Sequence, residues 1–270
     1  MLHFSVSGQP GKPLVILLHG VSNSGLWWAP LTKRLGAEYL VVAIDALGHG
    51  QSRRFTPQEL EDPFGATVAE AIATIEFVAN AANQVPVLVG HSMGGAVATK
   101  IAESRPDLVG AALLADPAWL NDEWKQTFKR NAPEARQRTK DWSQSPAQAI
   151  AENAEKRPQW APVEHVGWLW GQSLVDLELV STGIVSFSED WLSVLRRIAV
   201  PVLALTSDGE DCIVADSGVR AVQELGNPCV SARLLPGGTH AMVPEFLDDF
   251  LGELESMVDA FGSSSRDKTS

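Results

Sequence analysis

The sequence has little cysteine, and its two cysteines, Cys212 and Cys229, form no CxxC pair. A disulfide-stapled scaffold is therefore excluded, and a reducing, intracellular environment is favoured. No apolar run reaches the roughly 18 residues that are needed to cross a bilayer, and the chain does not open with a basic stretch followed by an apolar one. These absences predict a cytoplasmic protein without a membrane partner.

Basic residues are also scarce. Lysine and arginine number 21 against 33 acidic residues, which gives a net charge of −12 at pH 7. A polyanion would be repelled by that charge, so nucleic acid is not expected as a partner. The chain has neither an H-E-x-x-H motif nor a two-cysteine cluster, and its glycine-containing stretch at residues 8–13 lacks the spacing of a phosphate loop. We therefore expect no metal and no cofactor.

Short apolar runs alternate with helix-like stretches along most of the 270 residues. Continuous β-branched runs are typical of strands that are buried on both faces of a parallel sheet. Apolar residues at helical spacing predict helices over 67–80, 93–104 and 246–261. The alternation predicts an α/β fold with a mostly parallel central sheet flanked by helices. The predicted strands are Leu14–Leu18, Tyr39–Ile44, Val85–Val89, Val109–Ala115, Val200–Thr206 and Val230–Leu235.

The alternation stops between residues 117 and 197. This stretch is helical in composition and holds seven of the nine tryptophans. We predict that it is a helical cap inserted into a core formed by residues 1–116 and 198–261. The polar tail at 262–270 is predicted to be disordered.

The clearest functional motif is G-x-S-x-G at Gly90–Gly94. It directly follows a predicted strand and directly precedes a predicted helix, which is the context of a nucleophile elbow. The glycines let the two backbones approach, and the helix N-terminus directs free N–H groups at the reacting centre. Ser92 is therefore the predicted nucleophile. The alternative interpretation is a tight glycine turn with a serine cap.

A nucleophilic serine needs a base. His240 lies in the loop after the last predicted strand, at the same sheet edge as Ser92, and is the predicted base. The alternative is that His240 only caps a helix or lies on the surface.

The base in turn needs an orienting acid. Three carboxylates lie in the loop at residues 207–214. We favour Asp211, because the apolar pair that follows at 213–214 would anchor the loop and hold this carboxylate inward. Asp208 is the competing choice, and Asp116, which ends the preceding strand, is a more distant one.

Acyl chemistry also needs donors for the developing oxyanion. We predict the backbone N–H groups of Met93, which follows the nucleophile, and of Val21, in the loop after the first long apolar run. Gly20 would shape that loop. The alternative for the His19-Gly20 pair is a plain strand-ending turn.

These motifs resemble the α/β-hydrolase family, in its cap-bearing, cofactor-free branch of esterases, lactonases and C–C hydrolases. The resemblance covers nearly the whole chain and implies a mostly parallel sheet, a cap after the strand that ends at Asp116 and a pocket between core and cap. It implies a structural role, beside the pocket, for Asp45–Ser52. The blocks that carry it are His19-Gly20, Asp45–Ser52, Gly90–Gly94, Asp211 and His240.

Two features depart from the family pattern. Only residues 3–6 are available before Leu14 to form the usual leading strand pair, so that pair is expected to be incomplete. Ser92 stands where dehalogenases and epoxide hydrolases of this fold have an aspartate, so both activities are disfavoured.

The expected function is a cofactor-free serine hydrolase that cleaves a carboxylic ester or lactone of a hydrophobic or aromatic small molecule. The same triad would serve a C–C hydrolase, an amidase, a thioesterase or a perhydrolase, because fold does not fix function. A ligand receptor on a hydrolase scaffold is the third possibility, and the oligomeric state is left open. Aromatic residues suggest the pocket. The expected pocket residues are Gly20, Trp27, Trp28, His91 and Trp119.

Overall fold

Seven strands form one sheet in a computed structural model that describes residues 1–266, with side chains to residue 260. The strands are β1 (Phe4–Gly8), β2 (Leu14–Leu18), β3 (Leu40–Ile44), β4 (Val87–His91), β5 (Ala111–Ala115), β6 (Val202–Thr206) and β7 (Val230–Leu234). Their order is β1-β3-β2-β4-β5-β6-β7. All neighbours pair in parallel except β1 and β3. The predicted α/β class and parallel sheet are confirmed.

Eleven α-helices connect and cover the strands over the described residues. They are α1 (Ala29–Leu35), α2 (Pro63–Ala82), α3 (Met93–Ser104), α4 (Asp122–Gln144), α5 (Pro146–Lys156), α6 (Pro162–Ser173), α7 (Leu177–Thr182), α8 (Trp191–Arg196), α9 (Ala215–Leu225), α10 (Met242–Glu245) and α11 (Leu247–Arg266). None of the helices in the described part of the chain is long and apolar enough to span a membrane.

The element boundaries agree with the sequence pattern in the core and differ at its margins. Helix α3 has the predicted bounds, whereas β4 begins at Val87, after the exposed Val85 and a proline that has no N–H for a ladder. The predicted disordered tail is wrong for 262–266, because α11 continues to Arg266. Residues 267–270 lie outside the described residues. A single leading strand, β1, pairs antiparallel with β3.

The sheet is buried on both faces because helices cover each of them. Helices α2, α3, α8 and α9 pack on one face, and α1 and α11 pack on the other, around buried residues such as Ile75 and Phe250. All five residues of β2, β4 and β5 are buried. This explains why their sequences are continuously apolar rather than alternating.

Helices α4 to α8 lie between β5 and β6 in the chain. They occupy the segment from Asp122 to Arg196, inside the expected insertion at 117–197. Helix α4 packs against α5, α6 and α7, and α6 packs against the short 3-10 helix Gly25–Trp28 of the core. Helices α4 to α7 therefore form a layer, here called the cap, over the loop that follows β2, whereas α8 packs against α3 and α9 on the sheet.

Candidate active site

Ser92 lies in a sharp turn between β4 and α3. Its φ of 51° and ψ of −118° place a non-glycine residue in a strained conformation. The turn is fixed by its neighbours, since Ser92 N–H donates to Ala115 O at 3.1 Å and Ala118 N–H donates to Ser92 O at 2.9 Å. A Cβ on Gly94 would lie 2.1 Å from Leu18 O, so only glycine fits this close approach of helix and strand.

The hydroxyl of Ser92 is hydrogen-bonded to the imidazole of His240. The distance from Ser92 Oγ to His240 Nε2 is 2.9 Å, and the opposite ring nitrogen, Nδ1, lies 2.5 Å from Asp116 Oδ2. Ser92 is buried, and the His240 side chain is 24% exposed. The candidate nucleophile, base and acid are thus in contact in the order that acyl transfer requires.

Asp116 holds the position that the sequence analysis gave to Asp211. The preference for Asp211 is wrong in this structure, because its Oδ1 accepts the backbone N–H of His240 at 3.0 Å and does not reach the ring. The competing Asp208 is also elsewhere, since it accepts Gly237 N–H at 2.7 Å. Asp116 directly follows β5, the strand beside β4, and therefore lies next to the elbow.

The carboxylate of Asp116 is fully buried and fully hydrogen-bonded. It accepts from Thr206 Oγ1 at 2.7 Å and from the backbone N–H groups of Ile213 and Val214 at 2.8 and 3.0 Å. Burial by itself raises the pKa of this carboxyl, but the His240 ring and the two amides outweigh burial and hold the pKa below its usual value. The apolar residues Ile213 and Val214 pack in the core and anchor the loop after β6, as expected. Their backbone N–H groups bind Asp116 rather than hold Asp211 inward.

The loop after β2 is held by two buried histidines. His19 Nδ1 donates to Gly20 O at 2.8 Å, and its Nε2 accepts Ala46 N–H. His49 Nδ1 donates to Leu47 O, and its Nε2 accepts Ser22 N–H at 3.1 Å. Each ring must be neutral to accept on one nitrogen, and burial lowers the pKa of both, that of His49 to about 3.

Asp45 ties the segment at 45–52 to the same region. Its Oδ1 accepts Gly25 N–H at 2.7 Å, and its Oδ2 accepts Gln51 N–H at 3.0 Å and contacts His3 Nδ1 at 2.8 Å. Asp45 and His49 do not contact Ser92 or His240 through any hydrogen bond of the described residues. They support the loop, in agreement with the structural role expected for this segment.

The two predicted oxyanion donors flank the elbow. Met93 is the first residue of α3, where a backbone N–H has no partner within the helix. Gly20 directly precedes Val21 and lies against the nucleophile, because a Cβ on it would be 3.1 Å from Ser92 Cβ. Neither the Val21 nor the Met93 N–H has an acceptor among the described residues, so both are available to a ligand oxygen.

A cavity of about 370 Å³ lies between the cap and the loop after β2. Val21 and Ser22 line it on the core side. The cap lines it with aromatic residues and with a group of polar and charged ones. The aromatic residues are Trp124, Phe128, Trp142 and Trp168, and the polar and charged group includes Asn131, Arg138, Thr139, Glu152, Asn153, Lys156, Arg157 and Gln172.

None of the five residues expected in the pocket lines this cavity. Trp28 is in the core, and Trp27 stacks on His91 with ring centres 4.6 Å apart. Trp119 stacks on Trp191 and donates to Thr99. Gly20 lies beside Ser92. The aromatic residues of this set pack within the protein, and the cavity is lined by cap residues that the sequence analysis did not include.

His91, which was expected in the pocket, contacts the loop that carries His240 instead. Its Nε2 donates to the backbone carbonyl of His240 at 2.9 Å, so the residue before the nucleophile supports the loop of the base. Burial, followed by the nearby His240, lowers the pKa of His91 to about 3, which keeps the ring neutral.

A comparison with known families agrees with this geometry. The model of the alpha/beta hydrolase family matches residues 15–251. The chain belongs to the alpha/beta hydrolase family. The family that its sequence motifs indicated is thereby confirmed.

Individual proteins with similar sequences are named for different hydrolase activities. The chain is similar to Lipase LipV of Mycobacterium tuberculosis, with 36% identity over 163 residues, which are 60% of this chain and 57% of that protein. It is 27% identical over 269 residues to the putative carbamate hydrolase RutD of Yersinia enterocolitica, which covers 95% of this chain and 92% of that protein. The chain thus spans little more than half of the lipase.

A solved structure has the same fold. The crystal structure of E-2-(acetamidomethylene)succinate hydrolase superposes with a TM-score of 0.75 at 18% identity, over 96% of this chain and 95% of that one. At 18% identity, the similarity between the two chains shows a shared fold and nothing more.

Proposed function

We propose that the protein is a serine hydrolase that cleaves a carboxylic ester or lactone through an acyl-enzyme. Ser92 Oγ attacks the carbonyl carbon while His240 Nε2 takes its proton. His240 then gives that proton to the leaving alcohol, and a water deacylates the enzyme by the same route. Asp116 holds the imidazole by Nδ1 and stabilises its charged form.

The backbone N–H groups of Val21 and Met93 are the proposed oxyanion donors. The first lies in the loop that His19 and His49 fix, and the second lies at the N-terminus of α3. Fixed donors stabilise the developing charge without reorganising during the reaction. This is the function that we assign to the histidine-supported loop.

The observation that carries the proposal is the contact chain from Ser92 through His240 to Asp116, with distances of 2.9 and 2.5 Å. The lipase relative favours an ester bond. The carbamate hydrolase relative matches nearly the whole chain, so a carbamate is the second candidate. Both bonds present a carbonyl to the same nucleophile, and a C–C bond, amide, thioester or peracid reaction would also begin there.

Labelling with a fluorophosphonate, followed by peptide mapping, tests the activated serine. We expect one adduct on Ser92 that is absent from Ser92→Ala. Turnover of 4-nitrophenyl acetate, a lactone and an aryl carbamate then ranks the bond classes. Folded protein that neither reacts with the probe nor turns over any of these would contradict the hydrolase proposal and favour a receptor.

A further inference from the structure

The cavity beside the candidate active site has an excess of positive charge in a chain of net charge −12. Arg138, Lys156 and Arg157 line it, against a single carboxylate, Glu152. None of these three cations forms an ion pair with a carboxylate of the described residues, whereas Arg53, for example, pairs with two. The cavity therefore offers unneutralised cations to a ligand.

The guanidinium of Arg157 is held from one side only. Its Nη1 donates to Asn153 Oδ1 at 2.9 Å, and its Cζ lies 5.2 Å from the centre of the Trp160 ring. Asn153 is buried, and its Nδ2 donates in turn to His165 Nδ1 at 2.9 Å, which fixes the amide. These contacts orient the arginine without neutralising it.

The opposite edge of the guanidinium has no partner. Arg157 Nε is a buried donor without an acceptor, and Nη2 donates to none of the described residues. Nε and Nη2 form the edge that presents two parallel N–H groups, which suits the two oxygens of a carboxylate. A buried N–H without an acceptor is costly, so an anionic ligand would supply what the protein lacks.

We propose that the substrate carries a carboxylate, which Arg157 binds at the cap wall while the scissile carbonyl is at Ser92. This substrate class rests on the proposed hydrolase function. The cavity approaches the candidate active site through Val21 and Ser22, which line it on the core side and directly follow Gly20. A Cβ on Gly20 would lie 3.1 Å from Ser92 Cβ.

The body of the substrate between these ends is apolar or aromatic. Trp142 and Trp168 form an edge-to-face pair with ring centres 4.8 Å apart in the cavity wall. These rings offer apolar surface to the middle of a ligand, and about 370 Å³ suits a ligand of modest size. The earlier expectation of a hydrophobic or aromatic substrate is thereby extended by a charged end.

Arg138 and Lys156 have a different role from that of Arg157. Both side chains are exposed and also line an outer groove that contains Glu134 and Asp141. They are open to solvent and lie in the same groove as those carboxylates, so they attract an anion to the cavity rather than fix its position. Arg157 does not line that groove and is the assigned anchor.

A pair of matched esters tests the assignment. The mono-4-nitrophenyl ester of terephthalate carries a carboxylate at the far end of an aromatic acyl group, and 4-nitrophenyl 4-methylbenzoate is its neutral counterpart. The readout is the ratio of kcat/KM for the charged ester to that for the neutral one. It is measured in the wild type, in Arg157→Gln and in Arg130→Gln, an exposed cap cation outside the cavity with the same charge change.

We expect the wild type to prefer the charged ester and Arg157→Gln to lower the ratio by about 10- to 100-fold, as for a lost charge-assisted hydrogen bond. Arg130→Gln should keep the wild-type ratio. A wild-type preference for the neutral ester, or equal ratios in wild type and Arg157→Gln, would overturn the assignment.

Binding to Ser92→Ala separates this inference from the hydrolase proposal. Tryptophan fluorescence should report tighter binding of terephthalate than of 4-methylbenzamide, and Arg157→Gln in that background should abolish the difference. Preserved selective binding without turnover or labelling in the wild type would reject the hydrolase and keep the anion site. Binding of 4-phosphonobenzoate at least tenfold tighter than terephthalate would overturn the choice of a carboxylate.

Discussion

At the scale of single residues, the candidate site depends on two strained positions at neighbouring strand ends. Ser92 follows β4 with a φ of 51°, and Asp116 follows β5 with a φ of 36°. Both conformations are costly for non-glycine residues and are held by surrounding hydrogen bonds. They turn a hydroxyl and a carboxylate toward the same imidazole, which a regular strand would not do.

Single substitutions of Asp116 and Asp211 show which of the two carboxylates orients His240. Asp116→Asn should lower kcat for an aryl ester by about 10³- to 10⁴-fold, because an amide cannot hold the imidazole in the required tautomer. Asp211→Asn should retain more than about a tenth of the activity, since an amide oxygen still accepts the His240 backbone N–H. The reverse ranking in ester hydrolysis would return the acid role to Asp211.

Gly20 has no room for a side chain. A Cβ there would lie 2.8 Å from His91 Nδ1 and 3.1 Å from Ser92 Cβ. Gly20→Ala should therefore displace the loop that carries the Val21 N–H and lower kcat by at least about tenfold, because small misplacements at a reacting centre are costly. The control is Gly252→Ala, where a Cβ meets nothing within 4 Å. Equal activity of the two variants would remove the loop from the proposed oxyanion site.

At the scale of elements, four strand ends bring the site together. The loops after β2, β4, β5 and β7 supply Gly20, Ser92, Asp116 and His240, and the loop after β6 supports the last of these. Ser207, the first residue after β6, is fully buried. Its Oγ donates to Leu235 O at 2.5 Å and accepts Gly238 N–H at 2.8 Å. This serine thus joins the β6 loop to the loop of the base.

Removal of this hydroxyl tests the connection. Ser207→Ala leaves a carbonyl and a buried N–H without partners, so it should lower the free energy of unfolding by about 1–3 kcal/mol. It should also reduce kcat, because the loop of His240 loses a support. The matched control is Ser231→Ala in β7, an exposed serine whose contact with Val202 O is 3.4 Å. Urea unfolding measures both, and equal stability losses would contradict the role given to Ser207.

At the scale of the whole molecule, three buried histidines couple stability to pH. Burial lowers the pKa of His19, His49 and His91, that of the last two to about 3. In the unfolded chain these rings titrate near their ordinary pKa of roughly 6.5. Below that pH the unfolded state binds more protons than the folded state, so stability is fully present above it and falls as pH falls toward 3.

This linkage predicts an acid-sensitive protein. Between pH 6.5 and 5, where ordinary carboxylates remain ionised, His49 and His91 should each remove up to about 1.4 kcal/mol of unfolding free energy per pH unit. Urea unfolding at pH 7.5 and 5 measures the loss, and His49→Gln should show a smaller one than the wild type. Unchanged stability at the two pH values would mean that these rings are not buried neutral.

Much of the architecture could be predicted from the sequence because it follows from local patterns. Buried parallel strands have to be continuously apolar, so β2, β4 and β5 stand out, and the turn between β4 and α3 needs its glycines. The pairing of Ser92 with His240 could also be expected, because both follow strands whose carboxyl ends meet at one sheet edge.

The acid and the cavity depended on tertiary structure. Which carboxylate reaches His240 follows from strand order, and β5 lies between β4 and β6, a neighbour relation that no local pattern encodes. An aspartate directly after a buried strand was the available indication for Asp116. Most cavity residues come from cap helices that are distant in sequence from the loop after β2. Arg157 and Ser22 therefore line the same cavity only after packing. The sequence by itself determined the elements and the candidate nucleophile, because those depend on neighbours in the chain. Only the tertiary structure decided the candidate acid and the charged cavity wall, because those depend on neighbours in space.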